Sequence, residues 1–318
     1  MSFAKFSYDE TTHNQVVNHP RAHENTLRGI EYLQKQGIFT SVNMVISQAN
    51  FDHLYQTGVF VSNLGVESFS TAQAIPSQAG GKSHLQQALT PEQIPEYLEA
   101  LHHIREDTGM FVKLTNPVPF CSVWESRPHL RYLLETSTCT AGRTIIQIDP
   151  SGQVKPCPMI NNGYGNILEE GLDVVWQRMT PWSDNAYVPE TCQPCDLVER
   201  CRGGCRAEAE RTCGSLAAKN PFSIKPVKLS PIQEPNHNLP IGTKMVVTRN
   251  LRARKEQENL YVLFTKDRYM VTRENVARFI SAIHTKGSLT IDEKLAQDRG
   301  AIETLALAYN AGILRKAA

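Results

Sequence analysis

Long apolar runs and a secretory signal are both missing from this sequence. No stretch of the 318 residues approaches the roughly 20 consecutive apolar residues that cross a bilayer. The first ten residues, MSFAKFSYDE, contain no apolar core followed by a small-residue cleavage site. These absences favour a cytosolic protein, in which structural disulfides are unusual.

Net charge is also small, but it is unevenly distributed. The whole chain carries +1, whereas residues 244–318 hold 14 lysines and arginines against 8 aspartates and glutamates. A basic C-terminal region favours an acidic partner, either a peptide or a nucleic acid. A solvated basic surface is the alternative interpretation of the same composition.

Residues 1–120 contain no cysteine, and their pattern alternates between helix and strand. Strands separated by helices predict a parallel sheet with right-handed crossovers. Three or four strands are too few for a closed eight-stranded barrel, so the pattern predicts part of a (β/α) barrel. The predicted elements are a strand near residues 2–7, a helix His23–Gln36, a strand Ile38–Ile46 expected to be buried, a helix Phe51–Leu64, a strand Val66–Ser70, a helix opened by Thr90, Pro91 and Gln93 as a capping box, and a strand Met110–Thr115.

Two features of this first part are candidates for ligand contact. The Gln-, Ser- and Gly-rich stretch Thr71–Leu89 follows a strand, at the face where such folds place active-site loops. Asn43 and Gln73 stand near predicted strand ends, where they would touch substrate or cofactor. The alternatives are a surface loop and two surface polar residues.

All eight cysteines lie between Cys121 and Cys213, and their spacing is the strongest signal in the sequence. Thiolates hold the irons of iron–sulfur clusters, and a C-x2-C pair presents two sulfurs from one turn. The turn sequence DPSG at 149–152 predicts a hairpin between Ile145–Ile148 and Gln153–Lys155 that brings two cysteines together. The cysteines are Cys121, Cys139, Cys157, Cys192, Cys195, Cys201, Cys205 and Cys213.

The spacing from Cys139 to Cys213 resembles the SPASM motif of radical SAM enzymes, C-x(9–15)-G-x4-C, gap, C-x2-C-x5-C-x3-C, gap, C, with Gly152 as its glycine. The resemblance implies two auxiliary 4Fe–4S clusters. It assigns Cys192, Cys195, Cys201 and Cys213 to one, and Cys139, Cys157 and Cys205 to the other. Cys121, in the segment PVPFCSV, is the candidate fourth ligand of the second cluster; if it is instead an inert buried cysteine, one iron is open to a substrate group.

Two other uses of the cysteines are weighed against the clusters. Two zinc ions would also use eight cysteines, but the usual zinc spacings are not met. A disulfide framework is disfavoured because no secretory context is visible.

The resemblance to the second half of a radical SAM barrel extends upstream, through FSYDETTHNQVV, ENTLRGIEYLQKQGI and SVNMVISQANF. These 318 residues contain neither the C-x3-C-x2-C spacing of the cluster that cleaves S-adenosylmethionine nor a GGEP-like segment. The expectation is therefore that S-adenosylmethionine is bound only if the missing barrel half is supplied. Pro158 and Met159 after Cys157 replace the acidic residue of sulfatase-maturing relatives, which disfavours formylglycine formation.

Residues 216–243 are Pro-rich and polar, which predicts a linker. The rest, 244–318, predicts a small sheet followed by three helices. Through LRARKEQENLYVLF and ALAYNAGIL it resembles the PqqD-like element that captures the leader of a ribosomally made precursor peptide by strand addition. A winged-helix DNA-binding domain is the rival.

The expected fold is thus α/β, with a partial radical SAM barrel over 1–120, a SPASM domain over 121–215 and a small winged-helix-like α+β domain over 244–318. The expected function is iron–sulfur-dependent modification of a precursor peptide, with a radical-generating domain missing or supplied by a partner. The alternatives are a non-catalytic peptide-binding partner of a complete maturase and a redox-sensing DNA-binding regulator.

Overall fold

The computed structural model describes residues 1–76, 87–229, 239–247, 251–264 and 269–317. It divides into two compact units, Met1–Lys228 and Leu229–Ala318. The centre of the predicted active-site loop, 77–86, lies outside the described residues. Its first residues are not loop at all, because Thr71 to Gln73 continue a strand.

A four-stranded parallel sheet organises the first unit, as the alternating pattern predicts. Its strands pair in the order β1–β2–β3–β4, so each neighbours the next along the chain. They are β1 (Ser2–Ala4), β2 (Ser41–Ile46), β3 (Ser68–Gln73) and β4 (Phe111–Leu114).

Helices connect these strands and cover one face of the sheet. The last of them turns five apolar side chains inward, and its start shows half of the predicted capping box, because the Thr90 N–H donates to Gln93 Oε1 at 2.9 Å. The helix begins at Gln93 rather than Pro91. The helices are α1 (Glu10–Val17), α2 (Ala22–Lys35), α3 (Leu54–Asn63), preceded by a 3₁₀ turn Phe51–His53, and α4 (Gln93–Thr108).

The other face of the sheet is polar, and this corrects the expectation that Ile38–Ile46 is a fully buried strand. Val42, Met44 and Ile46 are buried among the helices. Asn43, which alternates with them, is only half-buried and donates to Ser70 Oγ at 2.9 Å. The strand starts only at Ser41, and the apolar side chains of Ile38 and Phe39 before it are exposed.

Short elements carry the cysteines between the sheet and residue 214. The predicted hairpin is confirmed as an antiparallel pair, β5 (Gln147–Ile148) and β6 (Val154–Lys155), shorter than the sequence indicates. The helical segments are the 3₁₀ turns Phe120–Ser122, Pro128–Leu130 and Glu190–Cys192, and the α-helices Arg131–Glu135, Ile167–Glu170, Leu172–Gln177, Thr180–Ser183, Val198–Cys201 and Arg206–Cys213.

The predicted linker 216–243 needs correction at its start. Phe222 and Val227 are buried in the core that the parallel sheet shares with the first cysteines. Residues 216–228 therefore belong to the first unit. The prolines and polar residues of this stretch are typical of a linker. The two buried side chains of Phe222 and Val227 nevertheless attach residues 216–228 to the core.

Among its described residues, the second unit contains strands and helices around its own core, but its strands form two sheets where the sequence predicts a single small one. Its strands form two three-stranded sheets, ordered β10–β9–β8 and β11–β7–β12. The elements are β7 (Lys244–Val247), β8 (Arg252–Gln257), β9 (Leu260–Phe264), β10 (Tyr269–Thr272), β11 (Leu289–Thr290) and β12 (Leu314–Lys316), with helices Glu274–Lys286, Glu293–Gln297 and Arg299–Asn310. Within the described residues of both units, no helix combines the length and apolarity needed to cross a membrane.

Candidate functional site

Four cysteines line one pocket in the first unit. They come from three places in the chain. The first is the 3₁₀ turn Phe120–Ser122, which follows β4. The second is the 3₁₀ turn Glu190–Cys192 with the three residues after it, and the third is the helix Val198–Cys201. Three of the four also pack against the apolar core of the sheet. The four are Cys121, Cys192, Cys195 and Cys201.

Backbone N–H groups point at three of these sulfurs. Phe120 N donates to Cys201 Sγ at 3.2 Å, and Ile224 N donates to Cys121 Sγ at 3.3 Å. Val227 N donates to Cys195 Sγ at 3.3 Å. An N–H donor stabilises a thiolate, and hydrogen bonds to sulfur are among the factors that set the potential of an iron–sulfur cluster.

The other cysteines of the predicted motif form a second group. Cys139, Cys157 and Cys205 pack in a separate core with Val154 and Trp182, beside the hairpin. Met159 N donates to Cys157 Sγ at 3.3 Å. The hairpin thus joins Cys139 and Cys157, as its turn sequence indicates.

Burial makes bare thiolates unfavourable in both groups. It raises the pKa of Cys201 to about 11, to which the charges of Cys121 and Cys192 also contribute. It raises the pKa of Cys205 further, with Cys139 and Cys157 acting in the same direction. These thiols are therefore protonated at neutral pH unless a cation holds them, and metal binding would release their protons.

Arginine side chains place positive charge between the two groups. Arg206 is buried and lies close enough to Cys205, Cys139, Cys192 and Cys201 for their thiolate charges to raise its pKa against the larger effect of desolvation. Arg202 and Arg143 line a second pocket with Cys139. A cationic environment of this kind fits an anionic cluster.

The structure redistributes the predicted ligands. Cys121 lines a pocket with Cys192, Cys195 and Cys201, whereas the sequence-based prediction groups it with Cys139, Cys157 and Cys205. Cys213 is exposed at the end of the helix Arg206–Cys213 and is not among the residues that line the first pocket. All eight cysteines are free.

Within the described residues, no three His, Cys, Asp or Glu side chains converge on a single metal ion. A zinc site needs its ligands about 2.3 Å from one ion. The thiolates of a cubane bind different irons and are correspondingly further apart.

Asn43 and Gln73 lie on opposite faces of the sheet. Asn43 stands in the middle of β2 on the polar face and also donates to Thr115 Oγ1 at 3.2 Å. Gln73 ends β3, is buried, and lies close enough to the carboxyl group of Glu208 to lower its pKa, although burial raises that pKa to about 7. A ligand contact by Asn43 stays a prediction.

The sequence pattern does not indicate one element of the first pocket. Lys219, Ser223, Ile224, Lys225 and Pro226 line it beside the cysteines. We call residues 219–228 the closing segment. Its composition gave no signal of a site, because the segment contributes backbone N–H groups to the pocket and is held in place by two buried apolar side chains.

Comparison with known proteins gives the relatives of this chain. It is 24% identical over 238 residues to an AdoMet-dependent heme synthase of Nitratidesulfovibrio vulgaris. The aligned stretch covers 70% of this chain and 64% of that protein. It is 30% identical over 94 residues to a PqqA peptide cyclase of a Methylobacterium species. That alignment covers 27% of this chain and 25% of that protein. The chain is thus similar to AdoMet-dependent heme synthases and PqqA peptide cyclases.

Solved structures agree on the fold. Streptococcus suis SuiB bound to the precursor peptide SuiA superimposes with a TM-score of 0.52 at 15% identity, over 69% of this chain and 52% of SuiB. No protein-family model matches the chain. The chain spans less than two thirds of the length of the heme synthase and about half of SuiB.

Proposed function

We propose that this chain binds two 4Fe–4S clusters and acts in the radical SAM-dependent modification of a ribosomally made precursor peptide. The observation that carries the proposal is the separation of seven cysteines into two groups, four that line one pocket and three that pack in a separate core. The SPASM-like spacing explains why one stretch of sequence supplies both groups. Relatives that include a PqqA peptide cyclase support the peptide as the substrate class.

The donor set fits iron–sulfur clusters. Cys121, Cys192, Cys195 and Cys201 would hold one cluster, and Cys139, Cys157 and Cys205 the other. When bound, such clusters accept or deliver single electrons and, where an iron lacks a protein ligand, bind a substrate group. The residues of this chain contribute N–H donors to sulfur, burial from water and the nearby guanidinium of Arg206.

The radical itself has to start elsewhere in the system. These 318 residues lack the spacing that binds the cluster for S-adenosylmethionine cleavage. The polar sheet face around Asn43 and Ser70 would then complete a barrel interior together with a further segment or a partner chain.

Capture of the peptide leader belongs, in this proposal, to residues 244–318. Strand β8 is an edge of its sheet within the described residues, and it carries the exposed residues Arg252, Arg254 and Lys255. An acidic leader would add a strand beside β8 and meet this positive charge. The same basic surface is why DNA binding is an outcome to be tested.

The first experiment is anaerobic reconstitution followed by iron, sulfide and zinc determination. Two cubanes give about eight irons and eight sulfides per chain. Stoichiometric zinc without sulfide would overturn the proposal. Binding of labelled duplex DNA at physiological salt, without binding of an acidic peptide, would replace the peptide by DNA as partner.

A further inference from the structure

The four cysteines of the first pocket form a complete ligand set without Cys213. A cubane takes up to four thiolates. Cys121, Cys192, Cys195 and Cys201 supply that number around one cavity. The family pattern would place Cys213 there and leave Cys121 for the other cluster, so the structure and the pattern disagree at these two cysteines.

The surroundings of Cys121 match those of its pocket neighbours. Its sulfur accepts the N–H of Ile224 at 3.3 Å, as Cys195 accepts that of Val227. Both donors belong to the closing segment, which is also anchored beside Cys195 by a hydrogen bond of 3.0 Å from Asp196 N to the Val227 carbonyl oxygen. One backbone stretch therefore spans the sulfurs of Cys121 and Cys195.

Cys213 is exposed and does not line this pocket. The helix Arg206–Cys213 starts directly after Cys205, which belongs to the second group. Eight residues at about 1.5 Å each carry the chain about 12 Å along the helix. At that far end Arg211 donates to the Met159 carbonyl oxygen at 2.9 Å, beside the Cys157 segment.

We propose that Cys121 takes the place of Cys213 in this chain, so that Cys121, Cys192, Cys195 and Cys201 hold one 4Fe–4S cluster beneath the closing segment. This inference rests on the proposed function, because it concerns ligands of the clusters that the function requires. It leaves Cys213 outside the ligand set of this cluster.

The test compares Cys121→Ala and Cys213→Ala, each reconstituted anaerobically in the 318-residue chain. Iron and sulfide are counted, and the dithionite-reduced proteins are examined by EPR. We expect Cys121→Ala to lose up to four irons and one of two signals, and Cys213→Ala to keep the wild-type values. Cys121→Ser, which retains an oxygen ligand, should restore a cluster with an altered signal.

The outcomes separate the ligand set from the function. Wild-type iron in Cys121→Ala together with loss in Cys213→Ala would overturn this inference and leave the two-cluster function intact. Wild-type protein without iron and sulfide would contradict both. Circular dichroism, together with the retained signal of the Cys139 group, shows whether Cys121→Ala is folded.

Discussion

Arg206 Nη1 donates a hydrogen bond of 3.0 Å to the carbonyl oxygen of Ala218. The same guanidinium donates to the carbonyl oxygens of Gly203, Tyr187 and Leu216. One side chain thus ties the turn after Cys201 to the stretch that leads into the closing segment. Because Arg206 also lies between the two cysteine groups, it combines a structural brace with a charge near both proposed clusters.

Replacing Arg206 by methionine should destabilise the protein by about 3 kcal/mol or more, because several buried carbonyl oxygens lose a charged donor. Urea unfolding of the reconstituted protein measures the change. Arg200→Met is the matched control, since Arg200 forms an exposed ion pair with Glu135 and should contribute little. Equal effects of the two substitutions would contradict the bracing role.

The hydroxyl groups of Thr71 and Tyr97 lie 2.6 Å apart in the core between β3 and α4. Tyr97→Phe or Thr71→Val should each cost about 1–3 kcal/mol, because the remaining hydroxyl is left buried without its partner. The double variant should cost less than the sum of the two. Denaturant unfolding of the four proteins completes the cycle, and strict additivity would argue against this bond.

Gly204 allows a close approach between the Cys201–Cys205 turn and the segment before Cys121. Its φ is +78°, and a Cβ there would lie 2.7 Å from Pro119 Cγ. Gly204→Ala should therefore cost about 1–3 kcal/mol beyond the left-handed backbone penalty and lower the iron content of the first site.

Gly37→Ala provides the control for that substitution. Gly37 has a φ of +69° but no heavy atom within 4 Å of an added Cβ. Gly37→Ala should therefore lower the free energy of unfolding by the backbone penalty alone, about 1–2 kcal/mol, and should keep the iron content of the wild type. Unfolding and iron determination compare the two variants, and equal iron contents would show that the approach to Pro119 is dispensable.

Acid sensitivity is expected from His13. Burial lowers its pKa from 6.5 to about 4, and the nearby charges of Lys5 and His23 act in the same direction. The unfolded chain therefore binds the extra proton first. The contribution of His13 to the free energy of unfolding is complete above about pH 6.5 and is lost as the pH falls toward 4. The total loss is at most about 3 kcal/mol.

His13→Asn isolates this effect. The free energy of unfolding of the wild type should fall more steeply than that of the variant between pH 7.5 and 5.5. A wild-type slope equal to that of the variant would mean that His13 titrates normally in the folded protein.

Charge reversal on β8 tests the leader site. Arg252→Glu with Lys255→Glu should weaken binding of a fluorescent peptide of alternating glutamate and valine by about tenfold, or ~1.4 kcal/mol. Fluorescence anisotropy at two salt concentrations measures it. Arg299→Glu, at a highly exposed arginine on the helix Arg299–Asn310, is the control. Equal weakening by both variants would indicate attraction to net charge without a specific strand edge.

Local patterns determined a large part of this protein. Helical spacing and β-rich runs predicted β1 to β4 and the helices α2, α3 and α4, but not α1, and the turn chemistry of DPSG predicted the hairpin of β5 and β6. The resemblance of the cysteine spacing to the SPASM motif implied two groups of ligands. These features depend on residues close in sequence, so a single sequence displays them directly.

Tertiary structure alone decided which cysteines share a pocket. The contact between Ile224 and Cys121 joins residues 103 positions apart, and no spacing rule covers such a distance. The polar face of β2 likewise depends on what packs against each side of the sheet. Burial and pairing between distant segments are set by the three-dimensional path of the chain, and that is why Cys121, the closing segment and the buried Arg206 acquired their places only in the folded structure.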